Sequence, residues 1–263
     1  MGGESAVQPP PQQQQEQHFE NKMASDTGLP PSGVDAITED GLPPFVEVYD
    51  EPRHTTCVKN DYCIAMKVRF PCGDTTWYHR HKEDTVFVFM GNMEIHNCMC
   101  LKSEFNDSFK LGEVRYAALK DRPYVHKATA LKSDTPNKGM FAIDAEHTGS
   151  PPTVSSSPLA DASHSLVLDQ EKVRAYRLML PAACTVRFSY PFYGLWVVVR
   201  GGKATITEEI AEGTVGRGQT KEEPPRGESH VYQLGDLWWG CPASITYVNE
   251  GTEEMEIVIC EWK

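Results

Sequence analysis

From Phe45 onward the chain alternates short apolar runs with turn residues: FVEVYD, CIAMKVRF, TVFVFMG, MEIHNCMC, VRYAAL and MFAIDAE. The runs are rich in Val, Ile, Phe, Tyr and Thr and are separated by Gly, Asp, Asn and Pro, which predicts strands of an antiparallel sandwich or barrel. After a Pro/Ser-rich stretch at 147–164 the same texture resumes in VRAYRLML, CTVRFSY, LWVVVRGGKATITEE, HVYQLGDLWWG, SITYVNEG and EMEIVICEWK. The best candidate for a helix is DASHSLVLDQEKVRAYR, although Leu166 to Leu168 can equally begin a strand. Residues 211–229, rich in Gly, Pro and Glu, read as a mobile loop in the second half. Residues 1–42, with PPPQQQQEQ, hold too little apolar surface to offset their ordering entropy and are expected to be a disordered tail.

The halves overlay as an internal repeat. WYHRHKEDTVFVFMGN falls on FSYPFYGLWVVVRGGK without a gap, with Gly91 on Gly201 and Val88 on Val198. Downstream, Leu111-Gly112-Glu113 falls on Leu234-Gly235-Asp236, and Pro123 on Pro242. One fold is used twice.

The candidate chemistry sits in Gly73 to Gly91, GDTTWYHRHKEDTVFVFMG. His79 and His81 are one residue apart at the start of a strand, so both imidazoles share a face. Imidazole is a common ligand for zinc, copper, iron and nickel, and His126 offers a third further along. A lone His-x-His pair is more simply a polar strand edge. The surrounding pattern changes that weighing. A glycine, His-x-His, an acid and a closing glycine resemble the first motif of the cupins, and Gly112, Pro123 and His126 resemble the second. Leu234-Gly235-Asp236, Pro242 and Asn249-Glu250-Gly251 resemble that second motif in the other half.

The resemblance covers about 45–262 and implies an all-β fold: two tandem cupin barrels (RmlC-like jelly rolls, double-stranded β-helices) behind the tail. The division would be 1–42 tail, 43–146 first barrel, 147–164 linker and 165–263 second barrel. Carried across residue by residue, the family's metal ligands fall on His79, His81, Asp84 and His126. The acid stands closer to the histidines than in the family pattern, and Glu83 and Asp84 both qualify. Adjacent strand residues face opposite ways, and counting back from Gly91 favours Asp84. If neither reaches, a three-histidine site remains. In the second barrel Ser189, Pro191, Gly194 and Ile245 take these places, and none replaces an imidazole. That barrel is expected to lack a metal.

What the resemblance implies is one divalent transition metal, Fe(II) first, with Mn, Ni, Cu or Zn as alternatives. The reaction would be oxidation or isomerisation of a small molecule, dioxygenase-like, with Tyr116 offering a catalytic phenol. The rival is a non-catalytic cupin that binds a small molecule or a protein partner, its metal structural or absent. Of Arg69, Arg80 and Arg115, one facing inward would clamp a carboxylate; Arg80, between the histidines, should face away. His96, Cys98 and Cys100 share a strand face, as a soft metal site or as a mixed strand with buried thiols.

The net charge of −12 argues against nucleic acid as a partner, and no apolar run approaches a membrane span. Eight cysteines without an apolar leader point to a reducing, cytoplasmic setting. Exposed sheet edges would suit a homodimer.

Overall fold

The structure is a computed structural model that describes residues 27–136, 138–152, 157–159, 161–210, 219–220 and 224–263. Ten strands build the first barrel: β1 Val46–Glu47, β2 His54–Lys59, β3 Cys63–Pro71, β4 His79–His81, β5 Thr85–Phe89, β6 Met93–Met99, β7 Ser103–Phe109, β8 Val114–Ala117, β9 Tyr124–Ser133 and β10 Gly139–His147. One sheet runs β1-β4-β9-β6-β7; the other has the order β2-β3-β10-β5-β8. All these pairings are antiparallel except β1 with β4. The only helical element among the described residues is a 3-10 turn at Val48–Asp50.

The second barrel begins with β11 His164–Asp169, β12 Val173–Leu180, β13 Thr185–Tyr190, β14 Gly194–Arg200 and β15 Gly202–Ile210. It continues with β17 Ser229–Tyr232, β18 Leu237–Gly240, β19 Ala243–Asn249 and β20 Met255–Trp262. Its sheets are β11-β12-β20-β14-β18 and β13-β19-β15-β17. The strand β16, Gln219–Thr220, crosses over and pairs antiparallel with β2 at the edge of the first barrel. The rest of the loop expected over 211–229 lies outside the described residues up to 218 and at 221–223.

Two expectations change. The candidate helix is the β11–β12 hairpin, because Val173 to Leu180 pack almost wholly buried against β20. Burial on both faces of a sheet outweighs a weak helical period. Of the tail expected over 1–42, residues 1–26 lie outside the described residues, and from Thr27 the chain lies on the first barrel. The amide of Tyr78 donates to the Gly28 carbonyl, Lys127 Nζ reaches the Thr27 carbonyl, and Ile37 bridges to Phe45.

The core comes in three layers. One fills the first barrel (Val68, Phe70, Phe89, Ile95, Phe109), and an aromatic-rich one fills the second (Tyr176, Tyr190, Phe192, Trp196, Tyr247). The largest lies between the barrels and joins Val86, Val88, Phe141 and Ile143 to Val197, Trp239, Val258 and Trp262. The facing sheets are therefore buried on both sides, which explains their unbroken apolar runs. On β5 the odd positions Phe87 and Phe89 look into the first barrel, while Val86 and Val88 look at the second.

The repeat is visible in the turns. Gly112 and Gly235 both take positive φ, +72° and +83°, the left-handed region that glycine occupies without strain. Each donates its amide to the strand before it, Gly112 to Phe89 and Gly235 to Val198. The following acids accept from Lys110 and Gln233 backbone amides in the same way.

Candidate metal centre and its cavity

Strand β4 puts His79 and His81 on its inner face, both buried, and turns Arg80 outward to Glu39 and Glu47. Antiparallel pairing with β9 sets His126 opposite His79 and Tyr124 opposite His81. The ring centroids of His79 and His126 are 4.4 Å apart, those of His81 and His126 5.2 Å, and those of His79 and His81 5.1 Å. A fourth imidazole, His54 at the start of β2, joins them with its ring 4.8 Å from His79. One ring nitrogen from each of His54, His79 and His81 lies within 4.8 Å of the other two.

Hydrogen bonds orient these rings. His79 Nδ1 is 2.8 Å from the Trp77 carbonyl, which can only accept, so Nδ1 carries the proton and Nε2 keeps its lone pair. His54 Nδ1 is 2.8 Å from Glu51 Oε2. The other Glu51 oxygen accepts from the Arg53 guanidinium at 2.8 Å and from the Trp77 amide at 3.2 Å. Arg53, itself buried, also holds Asp74 through two bonds of 2.7 and 2.8 Å. Burial opposes ionisation of Glu51, but its bond to His54 and the nearby positive charge outweigh this and hold it at about 2. As a carboxylate it only accepts, which leaves His54 Nε2 free. Burial and the crowding of like groups push His79 down to about 3, and His81 and His126 well below the ordinary histidine value. All three are neutral near pH 7, the state in which imidazole ligates.

The four imidazoles form part of the wall of a cavity of about 250 Å³ inside the first barrel. Phe70, Phe87, Phe89, Phe109 and Met140 supply much of the remaining lining. Asp144, on β10, is the buried carboxylate of the lining; its Oδ2 is 3.8 Å from His54 Nε2, and burial raises it to about 6. The side chain of Arg115 is 38% exposed and stands at the mouth.

These residues suit a metal ion. His81 Nδ1 and His126 Nε2 are buried polar atoms with no hydrogen-bond partner, an arrangement that costs free energy unless a ligand satisfies them. A carboxylate and a backbone carbonyl fix the outer nitrogens of two further rings, as is usual around ligating histidines. The chemistry of the donors, neutral nitrogen with one nearby carboxylate, fits a first-row divalent ion.

Of the residues expected at the site, His79, His81 and His126 are brought together and Asp84 is not. Asp84 shares the parity of Val86 and Val88, which face the second barrel. Its Oδ1 accepts from the amides of Leu119 and Lys120 at 2.8 and 3.0 Å, and the Tyr116 hydroxyl bonds the same carboxylate. Asp84 therefore holds the turn after β8. Glu83 faces Lys120 at 3.7 Å. Tyr116, expected as a catalytic phenol, pairs with Val86 and so turns its ring to the core between the barrels, where Asp84 engages its hydroxyl. Arg115 is no free clamp: its nitrogens bond Glu113, Asp107 and the Ser108 carbonyl at 2.7, 2.6 and 3.0 Å. His96 and Cys98 turn to Asn106 and Glu104 on β7.

The second barrel shows what the gap-free overlay misplaced. A bulge between Val198 and Arg200 inserts one residue, so over β4 and β5 the true offset is one shorter. Phe188 pairs with Ile245 as His79 pairs with His126, and Tyr190 stands where His81 stands. Ser189 is exposed on the outer face. The correct register also shows the signal that would have found His54. His54 pairs with Val68 as His164 pairs with Leu178, and each histidine follows an acid by three residues, EPRH and DASH. Asp161 Oδ2 lies 2.7 Å from His164 Nδ1, the counterpart of Glu51 and His54. Asp144 had a plainer signal, a carboxylate set in the apolar run at 140–145.

No family model matches the sequence, and no curated protein sequence matches it. Solved structures do. A variant of Bacillus subtilis oxalate decarboxylase aligns at TM-score 0.51 and 10% identity, over 78% of this chain and 70% of that one. Lactobacillus farciminis oxalate decarboxylase in its formate complex aligns at TM-score 0.50 and 10% identity, over 78% of each chain. AerE from Microcystis aeruginosa aligns at TM-score 0.48 and 10% identity, over 81% of this chain and 98% of that one. At such identities the likeness concerns fold. The chain has a bicupin fold, two cupin-type barrels in tandem. Among the described residues no helix is long and apolar enough to cross a membrane.

Proposed function

We propose that the first barrel binds one divalent transition metal through His54, His79, His81 and His126 and converts a small organic molecule in the adjoining cavity, as an Fe(II)-type oxidoreductase. The observation that carries this reading is the convergence of four imidazoles, two with orphaned buried nitrogens, on the wall of a largely apolar cavity. A bound divalent ion would supply Lewis acidity and, as iron, access to dioxygen chemistry. The chain's own groups do the rest. Glu51 and the Trp77 carbonyl hold two rings in the ligating tautomer. The phenylalanine walls exclude water that would compete for the reacting atoms. Asp144 faces the same space and can accept a proton from a bound molecule. The second barrel, filled by its own side chains, serves as scaffold through the shared core. The expected working unit is a homodimer in the cytoplasm.

Elemental mass spectrometry on untagged protein tests the reading, with the His79→Ala/His126→Ala variant as control. About one metal per chain in the wild type and none in the variant is expected; oxygen uptake with candidate substrates then tests the chemistry. Wild-type protein that stays metal-free after reconstitution under reducing conditions would leave the cavity as a non-catalytic binding module.

A further inference from the structure

The walls of the cavity also say what kind of molecule enters it. Among the described residues, Arg115 is the only Lys or Arg in the lining. Its guanidinium is consumed by Asp107, Glu113 and the Ser108 carbonyl, and it lies 4.3 Å over the Phe109 ring. With two carboxylates on one guanidinium the cluster is net negative, so it repels a second anion. Asp144 adds another acidic group further in. A carboxylate or phosphate would lose its hydration here without gaining a protein cation, which is a large cost.

The apolar walls are flat. Phe89 and Phe109 stack at 3.8 Å with 12° between planes, and Phe87 lies nearly parallel to Phe89 at 6.5 Å. Planar walls favour planar ligands. Size sets the ring count: an apolar cavity of roughly 150 Å³ accepts benzene, so the 250 Å³ here leaves room for a second ring. The polar groups facing the space include acceptors, the Asp144 carboxylate and the buried, partnerless Asn97 Oδ1.

We propose that the substrate is an uncharged aromatic molecule of one or two rings, without carboxylate or phosphate, whose hydroxyl or amino group donates to Asp144 beside the histidines. This rests on the cavity being the substrate site of the function proposed above and names its substrate class. Substrate choice would then follow from the chain's own walls rather than from the metal.

The test is isothermal titration calorimetry with two probes that share a ring system, 1-naphthol and 1-naphthoate, with oxalate alongside. Each is titrated into metal-stripped and into Zn(II)-reconstituted protein, a redox-inert loading. The expected result is one 1-naphthol per chain in the metal-stripped protein, with 1-naphthoate and oxalate weaker by at least about tenfold. Filling the cavity from two sides, with Ala117→Trp and with Ile95→Trp, is expected to weaken 1-naphthol by about tenfold or more. Stronger binding of 1-naphthoate or oxalate, or no binding of any probe to metal-stripped protein, overturns the proposal. So does unchanged 1-naphthol affinity in a filling variant that keeps the wild-type melting temperature. Zinc stoichiometry is read from the same samples. Naphthol binding without metal uptake would sink the metalloenzyme reading alone, and metal uptake with a preference for naphthoate would sink this one alone.

Discussion

Glu51 and His54 are joined at 2.8 Å through Oε2 and Nδ1, and this contact aims His54 Nε2 at the space shared by His79 and His81. The pair stands at the entry to β2, well ahead of the His-x-His motif in sequence, and Arg53 pins the carboxylate from its other side. A carboxylate placed behind a ligating imidazole fixes its tautomer and raises its basicity.

Glu51→Gln is accordingly expected to weaken metal binding by roughly 10- to 100-fold, measured by chelator competition. It also leaves the buried Arg53 with less opposite charge, so the metal-free variant should melt lower.

The same carboxylate sets an acid limit. Its folded value of about 2 lies below the ordinary 4.5. Its contribution to stability is therefore full above pH 4.5 and is lost as pH falls from there towards 2, on the order of 3 kcal/mol in all. Urea titrations across that window should show wild type losing stability faster than Glu51→Gln.

Asp84→Asn is expected to leave metal stoichiometry unchanged, whereas His126→Ala removes the metal. Asp84 accepts two backbone amides at the turn after β8. Neutralising it should cost about 1–2 kcal/mol of stability, from weakened charge-assisted hydrogen bonds. Loss of metal in Asp84→Asn would instead return Asp84 to the site.

Glu146 predicts the opposite pH behaviour. It is buried behind the cavity against the Tyr49 hydroxyl, with its Oε1 unpartnered. Burial raises it from 4.5 to about 7, aided by Asp144 and Glu83 against the lowering effect of Tyr49. A raised carboxylate favours the folded state fully below pH 4.5, and that advantage fades as pH climbs to 7. Glu146→Gln should thus match wild type near pH 4 and be the more stable at pH 8, by no more than on the order of 3 kcal/mol.

The two barrels should unfold as one unit, because their largest core layer lies between them. Trp239 is buried there, with its ring 5.3 Å from Trp262. Trp239→Ala is expected to cost about 3–5 kcal/mol and to keep a single calorimetric transition. Two separated transitions in the wild type would refute the shared core.

Period-two runs, turn residues and the repeat of Leu-Gly-acid were enough to determine strands, their use in two copies and one face carrying His79 and His81, because these follow from local geometry. His126 could be placed with them through the motif. What the one-dimensional pattern could not decide was parity and register across space. Asp84 stands beside the motif, yet its strand position faces the neighbouring barrel, a surface that exists only once two sheets pack. A one-residue bulge in β14 shifted the overlay and concealed Phe188 and Tyr190 as the counterparts of the histidines. His54 and Asp144 come from strands 25 residues before and 65 after His79, and β-sheet pairing brings them to one wall. Contacts of that separation are fixed by the burial of whole sheets, which only the tertiary structure decides.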